Sequence, residues 1–287
     1  AKNDVRQLAA QVQPGDVDVI LDSSKVRVRV YRTQARGSAL ATFFANFLGT
    51  SSVDVGAVAA AEAWPAASAN CLLPVALPDK WTNFGSPEWD PSEGDYYTPP
   101  GYVEPDDIGF QIVLKPAQGS QAPGSSRFQP GWWYLWNPTP PGASQVRAHI
   151  LGCPDVSVTH DIGDWVTDKN GNMQAIVRDF QDLIDLDPSA YWQDLPGCNC
   201  VISPMGLASP RIRAIPLFDP TTYTLQGPSA NFQILNFVGV FIEDVTPGPP
   251  GKRDVIARFM GTTGVGAGGG PGGPGPGTAI KVLKLVE

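Results

Sequence analysis

The sequence predicts an α+β protein: a small strand–strand–helix–strand domain at the N-terminus, then a larger, mostly β domain carrying one amphipathic helix. Three observations predict this. The hydrophobic period switches twice within residues 16–64. Gly and Pro number 31 and 29 of the 287 residues, a density that favours short strands and many turns over a helical bundle. Residues 173–186 hold a long apolar stripe at helical spacing.

Residues 1–66 form the first domain. Val5, Leu8, Ala9 and Val12 fall on one side of a short helix from Asn3 to Gln13, which Pro14-Gly15 ends. Asp22-Ser23-Ser24 supplies a hairpin turn. Val26, Val28 and Val30 then alternate with Arg27, Arg29 and Tyr31, a strand with one wet face. Leu40, Phe43, Phe44, Phe47 and Leu48 recur at helical spacing, and Val53, Val55 and Ala57 return to alternation. No catalytic group lies on this module, which has the make-up of a packing and assembly unit.

The second domain covers residues 67–260. Residues 70–110 are turn-rich and acidic, with eight Asp/Glu against one Lys between Asp79 and Asp107. Short strands are expected at Phe110–Leu114, Trp132–Trp136, Val146–Ile150 and Val156–Val158. The helix Met173–Leu186 buries Met173, Ile176, Val177, Phe180, Leu183 and Ile184, turns Arg178, Asp179, Asp182 and Asp185 to water, and ends before Pro188. Arg211–Phe218, Asn231–Glu243 and Asp254–Met260 read as strands of a sheet. Residues 261–278, almost all Gly, Pro and Thr, read as a flexible tether. Residues 279–287 regain an apolar pattern and form a terminal strand. An apolar strand at a free terminus is an aggregation hazard unless paired, so it is expected at a sheet edge of this chain or of a neighbour.

The net charge of −8 is uneven: residues 1–64 hold seven Lys/Arg against six Asp/Glu, the rest 13 against 22. An acidic surface repels phosphate backbones, which argues against nucleic acid as a partner. No window approaches the roughly 18–20 apolar residues that span a bilayer, and no basic leader with an apolar core is present. Membrane attachment is expected only through a segment upstream of Ala1 or through a partner. Four cysteines beside three methionines and two histidines suit an oxidising compartment better than a metal site.

Clustered oxygens are the most suggestive chemistry. Asp90, Glu93 and Asp95 lie in the turn WDPSEGD, and Asp168, Asn170 and Asn172 take alternate positions in DKNGN. Hard ligands so spaced in a loop can hold calcium. Neither loop completes an EF-hand, however, and Asn170-Gly171 is a hairpin signal in its own right. His149 and His160 flank Cys153, and with Cys198 or Cys200 would offer zinc ligands. Their spacing matches no common structural site, and His149 sits in a segment read as a strand. No G-x-S-x-G elbow supports a hydrolase. Trp132, Trp133 and Trp136, among eight tryptophans, would suit a sugar cleft between two carboxylates, but a core or subunit-contact strand explains them more simply. The Gly-rich stretch at 264–277 lacks the Lys-Ser/Thr and following helix of a phosphate cradle.

With these segments placed, nearly the whole chain resembles the TadG-like proteins of bacterial tight-adherence (Flp-type) pilus systems, without their N-terminal membrane helix. The matching segments, in order, are TFFANFLGTSSVDVGAVAAAEA, NCLLPVALPDKW with WDPSEGD, PGWWYLWNP with HILGC and GNMQAIVRDFQDLIDLDPSAYW, and SPRIRAIPLFDPTTY with FQILNFVGVFIED, VIARFMGTTG and KVLKLVE. The chain departs from the family in lacking the anchor and the von Willebrand-type domain of some members, and in its long Gly/Pro tract. The resemblance implies a non-enzymatic structural or accessory subunit of an extracytoplasmic surface assembly, in the periplasm or at the cell surface, whose partners are other protein subunits. It also implies a disulfide between Cys71 and Cys153, which stand in matching segments, whereas Cys198 and Cys200 lie in an insertion-like turn; the pairings Cys71–Cys198 with Cys153–Cys200 and Cys71–Cys200 with Cys153–Cys198 stay open. The alternatives are a soluble scaffold subunit of another cell-envelope complex, and a carbohydrate-active enzyme or lectin.

Overall fold

The computed structural model describes residues 17–22, 25–42, 44–65, 68–85, 89–102, 106–115, 134–136, 138, 141–154, 158–167, 175–195, 198–226, 229–248, 253–260 and 281–285. The helix expected from Asn3 to Gln13 and the tether at 261–278 lie outside them. The chain is broadly α+β and mostly β, and it divides into two compact units, Ala1–Trp64 with Leu283–Glu287, and Pro65–Val282.

In the first unit, β1 (Val17–Asp22) and β2 (Lys25–Arg32) form an antiparallel hairpin with Val17 opposite Val30 and Leu21 opposite Val26. Short strands β3 (Leu40–Ala41) and β4 (Ser52–Val53) pair with each other. The long β5 (Val55–Pro65) runs antiparallel to β2, with Arg32 opposite Val55 and Val26 opposite Ala61. The helix expected around Leu40–Leu48 is not formed. In its place stand β3 and one 3₁₀ turn, Ala45–Leu48, stopped by Gly49 in the left-handed region at φ 85°. The N–H of Gly49 donates to the Asn46 carbonyl at 3.1 Å and that of Thr50 to Ala45 at 3.0 Å, which closes the turn. The segment between β3 and Gly49 is too short for an α-helix without a surface to pack on. Phe44, Phe47 and Leu48 are 81, 85 and 87% exposed.

The second unit contains, in chain order, β6 (Ser68–Ala69), β7 (Val75–Pro78), β8 (Gln111–Lys115), β9 (Tyr134–Leu135), α1 (Ala143–Leu151), β10 (His160–Asp161), β11 (Trp165–Thr167) and α2 (Ala175–Asp185). They are followed by β12 (Tyr191–Leu195), β13 (Cys198–Ile202), β14 (Ile212–Phe218), β15 (Thr224–Gln226), β16 (Ser229–Val245) and β17 (Val255–Met260). An eight-stranded sheet runs β8-β17-β16-β14-β7-β9, with β11 and β15 also on β16. All its pairings are antiparallel except β7 with β14. Every residue of β14 is buried, as a central strand covered on both faces requires. A last strand, β18 (Lys281–Leu285), adds to the free edge of β5, so the first unit's sheet is β1-β2-β5-β18.

Both helices belong to one core with the sheet, in which Val146, Ile150, Phe180 and Leu183 meet Ile215, Val238, Val240 and Phe259. The segment Val146–Ile150, expected as a strand, is α1. Its buried residues Val146, His149 and Ile150 follow the helical spacing, but Val146 and Ile150 fit either period in so short a run. A second cluster, rich in aromatics, joins Trp81, Trp136, Phe218, Phe232 and Phe237. A register shift opposite Leu217/Phe218 lets β16 place Phe232 and Ile234 in this cluster before it and Phe237 after it.

Cys71 is bonded to Cys153, which ties the segment after β6 to the end of α1 across 82 residues of chain. A loop of that length is worth about 4 kcal/mol on the chain-entropy account. Cys198 is bonded to Cys200. Both lie in β13, opposite Leu195 and Gln193 of β12, rather than in a turn.

Candidate functional site

Among the described residues, a dense buried polar arrangement stands where the apolar run of β7 gives way to Asp79. This residue is 2% exposed, and its N–H donates to the Phe218 carbonyl at 2.8 Å. Its Oδ1 accepts the backbone N–H groups of Lys80 and Tyr102, both at 2.9 Å. Its Oδ2 accepts the Tyr97 hydroxyl at 2.7 Å and the Gly101 N–H at 2.9 Å. Burial pushes the Asp79 carboxyl above its ordinary range despite these four donors. Burial and the adjoining carboxylate push the Tyr97 phenol far up. A side chain at Gly101 would overlap the Lys80 carbonyl oxygen. Four donors fill the lone-pair sites of one carboxylate, so Asp79 acts as a clasp holding residues 97–102 against β7.

Two buried arginines do similar work, Arg211 just before β14 and Arg213 within it. Arg211 donates to the carbonyls of Ile242 at 2.9 Å, Asp187 at 3.0 Å, Ala190 at 2.8 Å and Glu243 at 2.6 Å. Its guanidinium also lies 4.6 Å from the centre of the Phe241 ring. Arg213 donates to the carbonyls of His149 and Gly152 at the end of α1, the negative end of the helix dipole. Burial pushes Arg213 down to about 10, which leaves it charged at neutral pH. Both cations are spent on carbonyl oxygens, so they fasten helix ends to the sheet.

The WDPSEGD turn is also held by its own acids. Asp90 caps the 3₁₀ turn Pro91–Glu93, accepting the Ser92 N–H at 2.8 Å and its hydroxyl at 2.6 Å. The Ser92 bonds hold the Asp90 carboxyl below its ordinary range. Asp95 is buried and accepts the N–H groups of Phe84 and Asp90, both at 2.9 Å. The Glu93 carboxylate lies against Gly85. Asp168, Asn170 and Asn172 lie outside the described residues. Among the described residues, no three His, Cys, Asp or Glu side chains converge as a metal ion requires.

The zinc arrangement does not form, because all four sulfurs are in disulfides and a bonded sulfur is not a thiolate ligand. His149 is buried at the end of α1 rather than on a wet strand face. His160 stands in β10 with the Trp136 ring edge-on at 5.0 Å, and burial pushes its imidazole below the ordinary range. Trp136 is itself a core residue whose Nε1 donates to the Leu73 carbonyl at 3.1 Å. Trp132 and Trp133 lie outside the described residues.

The sequence reading passed over Asp79, Tyr97, Arg211 and Arg213. The arginines had a signal, since SPRIRAIPLF sets two cations two apart in an otherwise apolar run. Asp79 had none, because three of its four donors, Tyr97, Gly101 and Tyr102, come from a loop distant in the chain.

The first unit offers apolar surface in place of polar chemistry. The β1–β2 register sets Val17, Val19 and Leu21 beside Val30, Val28 and Val26 on one face, and β5 continues that face with alanine. Val19 is 59% and Leu21 77% exposed. The opposite face has cover of its own: the Tyr31 ring lies over Gly56, Arg36 sits 5.1 Å above that ring, and Arg36 pairs with Asp18 at 2.9 Å.

Comparison with protein-family models, with curated proteins and with solved structures found no match.

Proposed function

We propose that this chain is a non-enzymatic structural subunit of an extracytoplasmic surface assembly, of the kind its resemblance to TadG-like tight-adherence proteins implies. The observation that carries the reading is the exposed apolar surface of the first unit. Val19, Leu21, Phe47 and Leu48 all face outward, and apolar surface exposed in such quantity suits a contact with other protein. The second unit supports the reading from the other side. Its buried ionisable groups Asp79, Arg211 and Arg213 are engaged by the chain's own backbone. Two disulfides suit an oxidising compartment, and no helix among the described residues is long and apolar enough to cross a membrane.

Cross-linking mass spectrometry on the native cell envelope tests this reading. Cross-links from Lys25 to other subunits of a surface apparatus are the expected result. Recovery of the chain in the cytosol with Cys71 and Cys153 as free thiols would overturn it.

A further inference from the structure

We infer that the Cys198–Cys200 disulfide is a thiol–disulfide exchange site, which oxidises two cysteine thiols of an extended, apolar partner segment. The inference goes beyond the subunit reading above, since the pair hands over its disulfide once per chain and needs no catalytic cycle.

The two disulfides differ in what they do for the fold. Cys71–Cys153 closes 82 residues of chain and restricts the unfolded state strongly, whereas Cys198–Cys200 spans a separation of 2 and restricts it far less. Stability gives little reason for the second bond. Its position gives another. Residues two apart in a strand share a face, and the register sets Cys198 opposite Leu195 and Cys200 opposite Gln193. This is the face of Tyr191, Leu195 and Ile202, which are 53, 56 and 37% exposed. Both cysteines are half-buried there rather than enclosed, and accessible disulfides are the ones that exchange.

The hairpin has other means of holding its shape when the bond opens. On its inner face, Trp192 and Val201 pack against the cluster of Ile212, Phe241 and Met260. Asn199, between the two cysteines, accepts the Trp192 Nε1–H at 2.9 Å and donates to the Ile108 carbonyl. A side chain at Gly109 would overlap Asn199, so the contact is close. β13 therefore keeps the two thiols side by side after reduction.

The surroundings define the partner. A segment that reaches the sulfurs must lie along Tyr191, Leu195 and Ile202, which favours one with apolar side chains of its own. One thiolate of that segment attacks a sulfur of the pair, the Cys198–Cys200 bond breaks, and a mixed disulfide forms. The displaced sulfur leaves as a thiolate and takes up a proton. The second thiolate of the segment then attacks its own sulfur in the mixed disulfide, which closes the partner's disulfide and releases the remaining cysteine as a thiolate that is protonated in turn. Two electrons pass from the partner, which is oxidised, to the pair, which is reduced.

Mixing the oxidised full chain, without oxygen, with reduced synthetic peptides tests the inference. Each peptide carries two cysteines, flanked either by valine and leucine or by glutamate and lysine. Alkylation followed by mass spectrometry counts the thiols on both partners. The expected result is one peptide disulfide per chain, with Cys198 and Cys200 alkylated and Cys71–Cys153 intact. The apolar peptide should react at least about tenfold faster than the charged one, as burial of one or two apolar side chains would give. The double variant Cys198→Ser/Cys200→Ser, its fold checked by circular dichroism, should oxidise neither peptide. Peptides that stay reduced, a Cys71–Cys153 bond that opens in preference, or a double variant as active as the wild type overturns the inference. Equal rates for the two peptides overturn it as well, since the apolar partner is part of it. Should the double variant lose its fold, the thiol count on the wild type decides alone.

Discussion

Asp79 shows how one carboxylate is turned into structure. Its folded-state pKa is raised above the ordinary 3.8, with burial the largest cause. A carboxyl so shifted contributes most below its unfolded pKa, and that contribution is lost as pH rises through the folded value. Relative to Asp79→Asn, which cannot titrate, the wild type should therefore gain stability as pH falls from neutrality towards 4. Urea midpoints for the two proteins across that range check the sign, and a constant difference counts against it. At neutral pH the variant should already be weaker by about 2 kcal/mol or more, because an amide NH₂ must replace an oxygen that accepts two donors. None of this was legible around Asp79 in the sequence, where Pro78-Asp79-Lys80 reads as an ordinary turn. The arginines at 211 and 213 were half-legible: their place in an apolar run was visible, their carbonyl partners were not.

At the scale of single elements, α2 and the 3₁₀ turn at Ala45–Leu48 make an instructive pair. Both segments carry apolar residues at helical spacing. In α2 the stripe of Ile176, Val177, Phe180, Leu183 and Ile184 is buried, and Arg147 of α1 reaches Asp179 and Asp182 on its flank. Asp179, expected in water, is buried there, and burial pushes its carboxyl up. Phe180→Ala should cost about 3–5 kcal/mol. Asp182→Ala, which breaks a half-exposed pair, should cost about 1 kcal/mol or less. Equal melting temperatures for the two would reject the face assignment. In the first unit, Phe47→Ser should change stability by no more than about 0.5 kcal/mol, because the ring is 85% exposed. A loss comparable to that of Phe180→Ala would mean that the ring packs as the sequence pattern suggested. The two segments differ in length and surroundings. Eleven residues of α2 lie on a ready sheet, whereas the earlier run is short and is halted by Gly49.

For the molecule as a whole, the last strand has the widest consequence. β18 lies beside β5, so the two ends of the sequence share one sheet. Removing residues 279–287 should bare the β5 edge and lower the hydrogen-exchange protection of the β5 amides about tenfold or more. Exchange and melting like those of the full chain would show that β18 adds nothing. Near neighbours along the chain set the mostly β character, the β1–β2 hairpin, α2 and the long strands around β14, β16 and β17. Each is set by a local hydrophobic period and by turn residues. Packing in three dimensions set that Val146–Ile150 is helical, that Phe47 and Leu48 are exposed, and that Asp90 and Asp95 of WDPSEGD accept backbone amides. It also decided that Cys198 joins Cys200. Those outcomes depend on what lies within a few ångströms of each group in space, and a one-dimensional pattern carries the period of a segment but not the identity of its neighbours.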